Sequence, residues 1–271
     1  KENYLRASNY YRTAEFFLHG NQKDPRILDT WGKSRDAFQK AIKLLNVSVE
    51  KVNIPYENTT LPGYFYSVDQ TIRPTLIAHG GFDSTGEELF FEIAVSALER
   101  GYNCLTFEGP GQGSVIREQR IPFRYDWEKV VTPVVDYLET RLDVDSKKIA
   151  LIGISLGGYL APRAASFEHR LAACIANDGL FSNQFREMGR KFYQGSEEEF
   201  NKPEFMENFV QSLMKQSTGV QWAIENGMFT YGASSIVDLI EKTDAITLEG
   251  VAQNIKCPTL VCEAEADHFF E

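Results

Sequence analysis

The stretch Lys148-Ile149-Ala150-Leu151-Ile152-Gly153-Ile154-Ser155-Leu156-Gly157-Gly158-Tyr159-Leu160-Ala161 decides how this chain of 271 residues is read. Ile149 to Ile152 is an unbroken apolar run, the pattern of a strand buried on both faces. The residues after Ser155 are small and apolar and open a helix. Between them stands the pentapeptide Gly153-Ile154-Ser155-Leu156-Gly157. A lone G-x-S-x-G is a weak signal. With a strand running in and a helix running out it reads as a nucleophile elbow. The sharp turn holds Ser155 in a strained backbone conformation with Oγ raised at the carboxyl edge of the sheet. Glycines two before and two after the serine let the chain cross without Cβ clashes.

Outward from this point, short apolar strands alternate with helices. PTLIAH (74–79), YNCLTFE (102–108), KIALIGI (148–154), LAACIAND (171–178) and PTLVCEAE (258–265) read as strands. The segments 85–100, 126–142 and 156–166 read as helices. This alternation predicts an α/β fold with a mostly parallel sheet covered on both faces. Before it, VSVEKVNIPYE (47–57) and LPGYFYSVD (61–69) have period two and predict an antiparallel edge pair. Residues 1–46 read as two helices broken at Asn21 to Pro25, with an aromatic stripe that includes Tyr10 and Phe17. Between Gly179 and about Ser235 the alternation stops for longer than a simple connection allows, which predicts a mostly helical insertion acting as a lid. The expected organisation is a helical cap segment at 1–46, a core at 47–182, the lid at 183–235 and the rest of the core at 236–271. Pro133 is expected to kink its helix or to mark a late start.

Composition is that of an ordinary globular protein, 43% hydrophobic and 24% charged. Lys and Arg number 28 and Asp and Glu 38, a net charge of −10, with no basic run of the kind that binds nucleic acid. No apolar window is long enough for a transmembrane helix, and the first residues do not form a signal peptide, so no membrane association is expected. The four cysteines, Cys104, Cys174, Cys257 and Cys262, lie in or at the start of apolar runs and are expected to be buried reduced thiols of a cytoplasmic protein. Their spacing matches no zinc site, and no metal or organic cofactor is expected.

A serine nucleophile needs an oxyanion site, an acid and a base. The loop His79-Gly80-Gly81-Phe82-Asp83 follows a strand and is placed to offer the Phe82 N–H. The Leu156 N–H, just after the nucleophile, is the second donor. Two aspartates end strands after Ser155. Asp267 has the expected position for the acid, after the strand that follows the insertion, and Asp178 is the reserve. The base is harder to find among His19, His79, His169 and His268. His79 belongs to the oxyanion loop and reads as structural. His169 falls at the far end of the nucleophile helix, His19 in the N-terminal helices. His268 adjoins Asp267, from which it diverges. The expectation is that a histidine beyond Glu271 supplies the base and that these residues are part of a longer chain. The turn Phe107-Glu108-Gly109-Pro110-Gly111-Gln112-Gly113 matches no nucleotide-binding loop and reads as structural.

The segments RASNYYRTAEFF, HGGFDS, FEGPGQG, GISLGGYLAPRAA and CPTLVCEAEADHFF, in this order, resemble the α/β-hydrolases typified by 2,6-dihydroxypseudooxynicotine hydrolase and the fungal yellowish-green pigment hydrolases that shorten polyketides. That group is loosely related to acylaminoacyl-peptidase-like proteins. The resemblance implies a helical cap and a Ser-Asp-His triad carried here by Ser155 and Asp267. It implies cleavage of a small-molecule substrate at a carbon–carbon bond next to a ketone, or at an ester or amide. A homodimer is the assembly that such cap helices suggest. The rival readings are an acylaminoacyl-peptidase-like or esterase activity, and a catalytically silent binding protein of the same fold.

Overall fold

A computed structural model describes residues 1–267. Two helices lead, α1 (Glu2–Phe16) and α2 (Pro25–Ile42), the second capped by the Asp24 carboxylate and started by Pro25. A hairpin of β1 (Ser48–Tyr56) and β2 (Thr59–Ser67) follows, turning at Glu57, whose φ is +46°. Then come β3 (Arg73–His79), α3 (Val95–Glu99), β4 (Asn103–Phe107), α4 (Gly113–Arg117), α5 (Glu128–Glu139), β5 (Val144–Ile154), α6 (Gly157–Ala165) and β6 (Ala173–Asn177). Five helices precede the last described strand: α7 (Phe185–Arg190), α8 (Glu197–Phe200), α9 (Pro203–Gln216), α10 (Thr218–Thr230) and α11 (Ile236–Thr243). The strand itself is β7 (Thr259–Cys262).

The seven strands form one sheet in the order β1-β2-β4-β3-β5-β6-β7. The hairpin joins β4 antiparallel, and every pairing from β4 to β7 is parallel. Successive side chains point to opposite faces of a strand, and the core divides accordingly. Tyr64, Tyr66, Ala78, Cys104 and Ile152 meet Phe38 and Ile42 of α2 and Phe90, Ala94 and Ala97 on one face. Their neighbours Phe65, Ile77, Leu105 and Leu151 belong to the other cluster, with α5 and α6. Parallel strands put all their carboxyl ends at one edge, so the loops after β3, β5, β6 and β7 converge there.

Four local expectations need revising. The segment 85–100 is not one helix. Gly86 to Glu88 make turns, then Phe90–Ala94 form a π-helical turn that runs into α3. Here Thr85 N–H donates to the Glu88 carboxylate (2.7 Å) and Gly86 N–H to Glu108 (2.8 Å), which ties the start of the segment to the end of β4. The helix α5 runs through Pro133, and the carbonyl that loses its donor belongs to exposed Lys129. The inserted helices continue past residue 235, because α11 packs on α7, α9 and α10 through an apolar face that includes Leu239 and Ile240. Finally, α2 packs on the sheet, and the end of α1 meets the inserted helices. Among the described residues no helix is long and apolar enough to cross a membrane.

Candidate active site

The turn between β5 and α6 is built as the glycine spacing demands. Ser155 has φ +59°, a left-handed conformation that a non-glycine residue adopts at a cost of roughly 1–3 kcal/mol. Its N–H donates to the Asn177 carbonyl (3.0 Å), and its own carbonyl accepts from Gly158 N–H (2.6 Å). A Cβ on Gly153 would lie 2.0 Å from the Gly157 carbonyl oxygen, and one on Gly158 only 1.7 Å from that of Asp178. Nothing larger than glycine fits either position, so the backbone bends tightly enough to lift Ser155 to the sheet edge.

The loop after β3 lies directly against this turn. A Cβ on Gly81 would be 2.6 Å from the Leu156 nitrogen. Phe82, Ser155 and Leu156 share the wall of one cavity of about 580 Å³. The rest of its wall comes from the end of α1 and from the inserted helices: Phe16 and Phe17, Phe185 and Met188 of α7, Val210 and Leu213 of α9, Trp222 and Ile224 of α10. The Trp222 ring stacks on Phe16 (centroids 4.9 Å apart, planes 13°) and meets Phe82 edge-on at 6.0 Å. Asp83 is the one acidic or basic side chain among the described residues that line the cavity. Burial raises its pKa from the ordinary aspartate value, against the pull of Arg12.

Asp178 and Asp267 follow the adjacent parallel strands β6 and β7, at the same sheet edge as Ser155. Asp178 has φ +66°. Its pKa is raised by burial first and by the charge of Asp267 second. Asp267 is partly buried, its N–H donating to the Ala264 carbonyl in a tight turn.

Residues 76–268 match the sequence profile of the alpha/beta hydrolase family. The chain belongs to the α/β-hydrolase family. It is 39% identical over 290 residues to the hydrolase acrC of Aspergillus aculeatus, covering 98% of this chain and 67% of that protein. It is 37% identical to the 20-hydroxy-prefusarin hydrolase FUS2 of Gibberella moniliformis, with the same coverage. The crystal structure of 2,6-dihydroxy-pseudo-oxynicotine hydrolase superposes with a TM-score of 0.75 at 25% identity, over 95% of this chain and 64% of that one. The chain thus spans about two thirds of the length of these relatives.

Within this hydrolase fold, the described histidines lie away from Ser155 or are engaged elsewhere. His79 is fully buried, with Nδ1 3.0 Å from the Gly80 carbonyl and its ring against Phe107 and Trp127. Burial pushes its pKa down to about 4, so it packs as a neutral ring. His169 is exposed beyond the end of α6, and His268 lies outside the described residues. His19 is buried in a charged cluster that periodicity did not reveal. Its Nε2 lies 2.7 Å from Glu15 Oε1 and its Nδ1 2.7 Å from Asn226 Oδ1. Arg117 of α4 donates to the same Glu15 at 2.8 Å. Burial alone would raise the Glu15 pKa, but Arg117, His19 and Arg12 outweigh it and hold the carboxyl at about 2. A signal for part of this cluster was available: Arg12, Glu15 and His19 fall at helical spacings of three and four.

The FEGPGQG turn brackets the loop after β3. Glu108 accepts from Gly86 N–H (2.8 Å), Ser114 N–H (2.8 Å) and Ser114 Oγ–H (2.6 Å). Gln112 donates to the carbonyls of Gly80 (2.7 Å) and Gly81 (3.2 Å). Among the described residues there is no group of three or more His, Cys, Asp or Glu arranged to hold a metal ion.

Proposed function

We propose that this chain carries a serine hydrolase site that acts through an acyl-enzyme on a small, largely apolar ketone, ester or amide. The observation that carries the reading is Ser155 at positive φ, on the wall of the cavity, with the loop after β3 pressed against the Leu156 amide. Ser155 Oγ attacks the substrate carbonyl carbon and gives up its proton to a histidine base that Asp267 orients, with Asp178 in reserve. The carbonyl oxygen becomes an oxyanion that accepts from the Phe82 and Leu156 N–H groups. Collapse expels the leaving group, which takes the proton from the histidine as an alcohol, amine or carbon acid. Water then adds to the acyl-Ser155 and releases the carboxylic acid.

For carbon–carbon cleavage the leaving carbanion must be delocalised, so a β-diketone or an acyl-phenol fits the chemistry. Aromatic walls suit such a ring, and Asp83, with its raised pKa, suits an uncharged polar group on it. The relatives named for 20-hydroxy-prefusarin and 2,6-dihydroxy-pseudo-oxynicotine support a small organic molecule as substrate.

A fluorophosphonate probe should label the full-length protein at Ser155. The Ser155→Ala variant should lose labelling and at least about 10³-fold of its turnover. Unchanged turnover in Ser155→Ala would refute the reading. A panel of p-nitrophenyl esters, acyl-amino-acid anilides and β-diketones separates the three bond types.

A further inference from the structure

The loop Gly80 to Asp83 has no regular secondary structure, yet side chains from three separate elements hold four successive carbonyls. Gln112, in the turn after β4, donates to the carbonyls of Gly80 and Gly81. Asn226, from α10 of the cap, donates to that of Phe82 (3.2 Å). Arg12, from α1, donates to that of Asp83. We infer that Gln112 and Asn226 are positioning residues that aim the oxyanion-binding N–H of Phe82. This rests on the hydrolase reading above and adds a role that the FEGPGQG turn and the cap would play in it.

The argument is one of peptide geometry. The Gly81 carbonyl and the Phe82 N–H belong to one planar trans peptide unit, in which the two bonds point in opposite directions. Holding the carbonyl on Gln112 therefore sets the direction of the N–H. Two glycines precede that unit and leave it free to rotate if nothing holds it. Gln112 is suited to the task. It is 2% exposed, its Oε1 accepts from Gly109 N–H (3.0 Å), and both protons of its amide face the loop carbonyls. Its orientation is unambiguous, because a carbonyl can only accept.

Asn226 holds the next peptide unit, and the same rule orients it. Nδ2 must face the Phe82 carbonyl, so Oδ1 faces His19, whose Nδ1–H donates to it. Asn226 is fully buried. Through His19 and Glu15 it is anchored to Arg117 in the core. The cap thus reaches the oxyanion loop by a fixed chain of bonds.

A group that aims an oxyanion donor acts on the transition state and leaves substrate binding nearly untouched. The experiment is a kinetic comparison in the full-length protein of Gln112→Met, Gln112→Glu and Asn226→Leu, with a trifluoromethyl ketone as the reversible analogue of the tetrahedral intermediate. Gln112→Met should lower kcat by about 10- to 100-fold, weaken the ketone in parallel and change KM by less than about 3-fold. Gln112→Glu keeps the Gly109 contact but turns a carboxylate on the loop carbonyls. It should be at least as impaired, and it stands in if the Met variant does not fold. Asn226→Leu should show the same pattern with a smaller loss.

Folded variants with wild-type kcat and ketone affinity overturn the inference, as does a rise in KM alone. Fluorophosphonate labelling separates the two levels. If the wild type labels at Ser155 while the variants are kinetically silent, only the positioning role falls. If the wild type does not label, the hydrolase reading falls and takes this role with it.

Discussion

His79 shows how far a single residue's environment can depart from its sequence context. It sits one residue from a glycine pair in a loop that serves the candidate site, yet its ring is fully buried between Phe107 and Trp127. Its folded pKa of about 4 lies below the ordinary 6.5. Between those values the unfolded chain binds a proton that the folded chain does not. The stability His79 contributes is therefore complete above about pH 6.5 and is lost as pH falls toward 4, by about 3 kcal/mol in all. Glu87, which is buried, and Glu92, raised to about 8 and about 7, act with the opposite sign above pH 4.5. The test is therefore the difference between wild type and His79→Phe in urea titrations, which should open by this amount across the window. Glu15 acts in a lower window: its carboxyl is held at about 2, so its share is present above pH 4.5 and lost below that. A difference that stays constant between pH 6.5 and 4 would show that His79 does not titrate there.

At the scale of elements, the junction of α1, α4 and α10 is electrostatic at its centre. Glu15 is completely buried and receives Arg117, Arg12 and His19. Arg12 keeps Glu88 as a partner, but removing Glu15 leaves the buried Arg117 guanidinium without a carboxylate, which costs about 3–5 kcal/mol. Glu15→Gln should lose that much stability in denaturant unfolding, well beyond the ~1 kcal/mol of an exposed pair such as Lys33–Asp29. Amphipathic periodicity located both halves of the N-terminal helical segment, because it samples residues three and four apart. It could not pair Glu15 with Arg117, a contact across 102 positions.

For the whole molecule, burial sorts the four cysteines into two pairs. Cys104 and Cys174 are fully buried within the sheet, and burial raises both thiols, Cys174 to about 12. Cys257 and Cys262 are partly exposed near β7, so the expectation of four buried thiols holds for only two. A thiol reagent should therefore spare Cys104 and Cys174 in the native protein and modify them in denaturant. Native modification of Cys104 would contradict the packing of β4 between β2 and β3.

The strand, the tight turn and the helix around Ser155 are encoded within about a dozen consecutive residues. So is the alternation that makes the sheet parallel, since hydrophobic period and glycine placement act over a few neighbours at a time. The cavity is different. Its walls come from α1, the loop after β3, the turn at Ser155 and four inserted helices, segments up to 224 positions apart that meet only in the folded chain. The same holds for the side chains gripping the loop at Phe82. Gln112 and Asn226 carry no pattern of their own, and their partners are backbone carbonyls whose positions exist only in the folded chain.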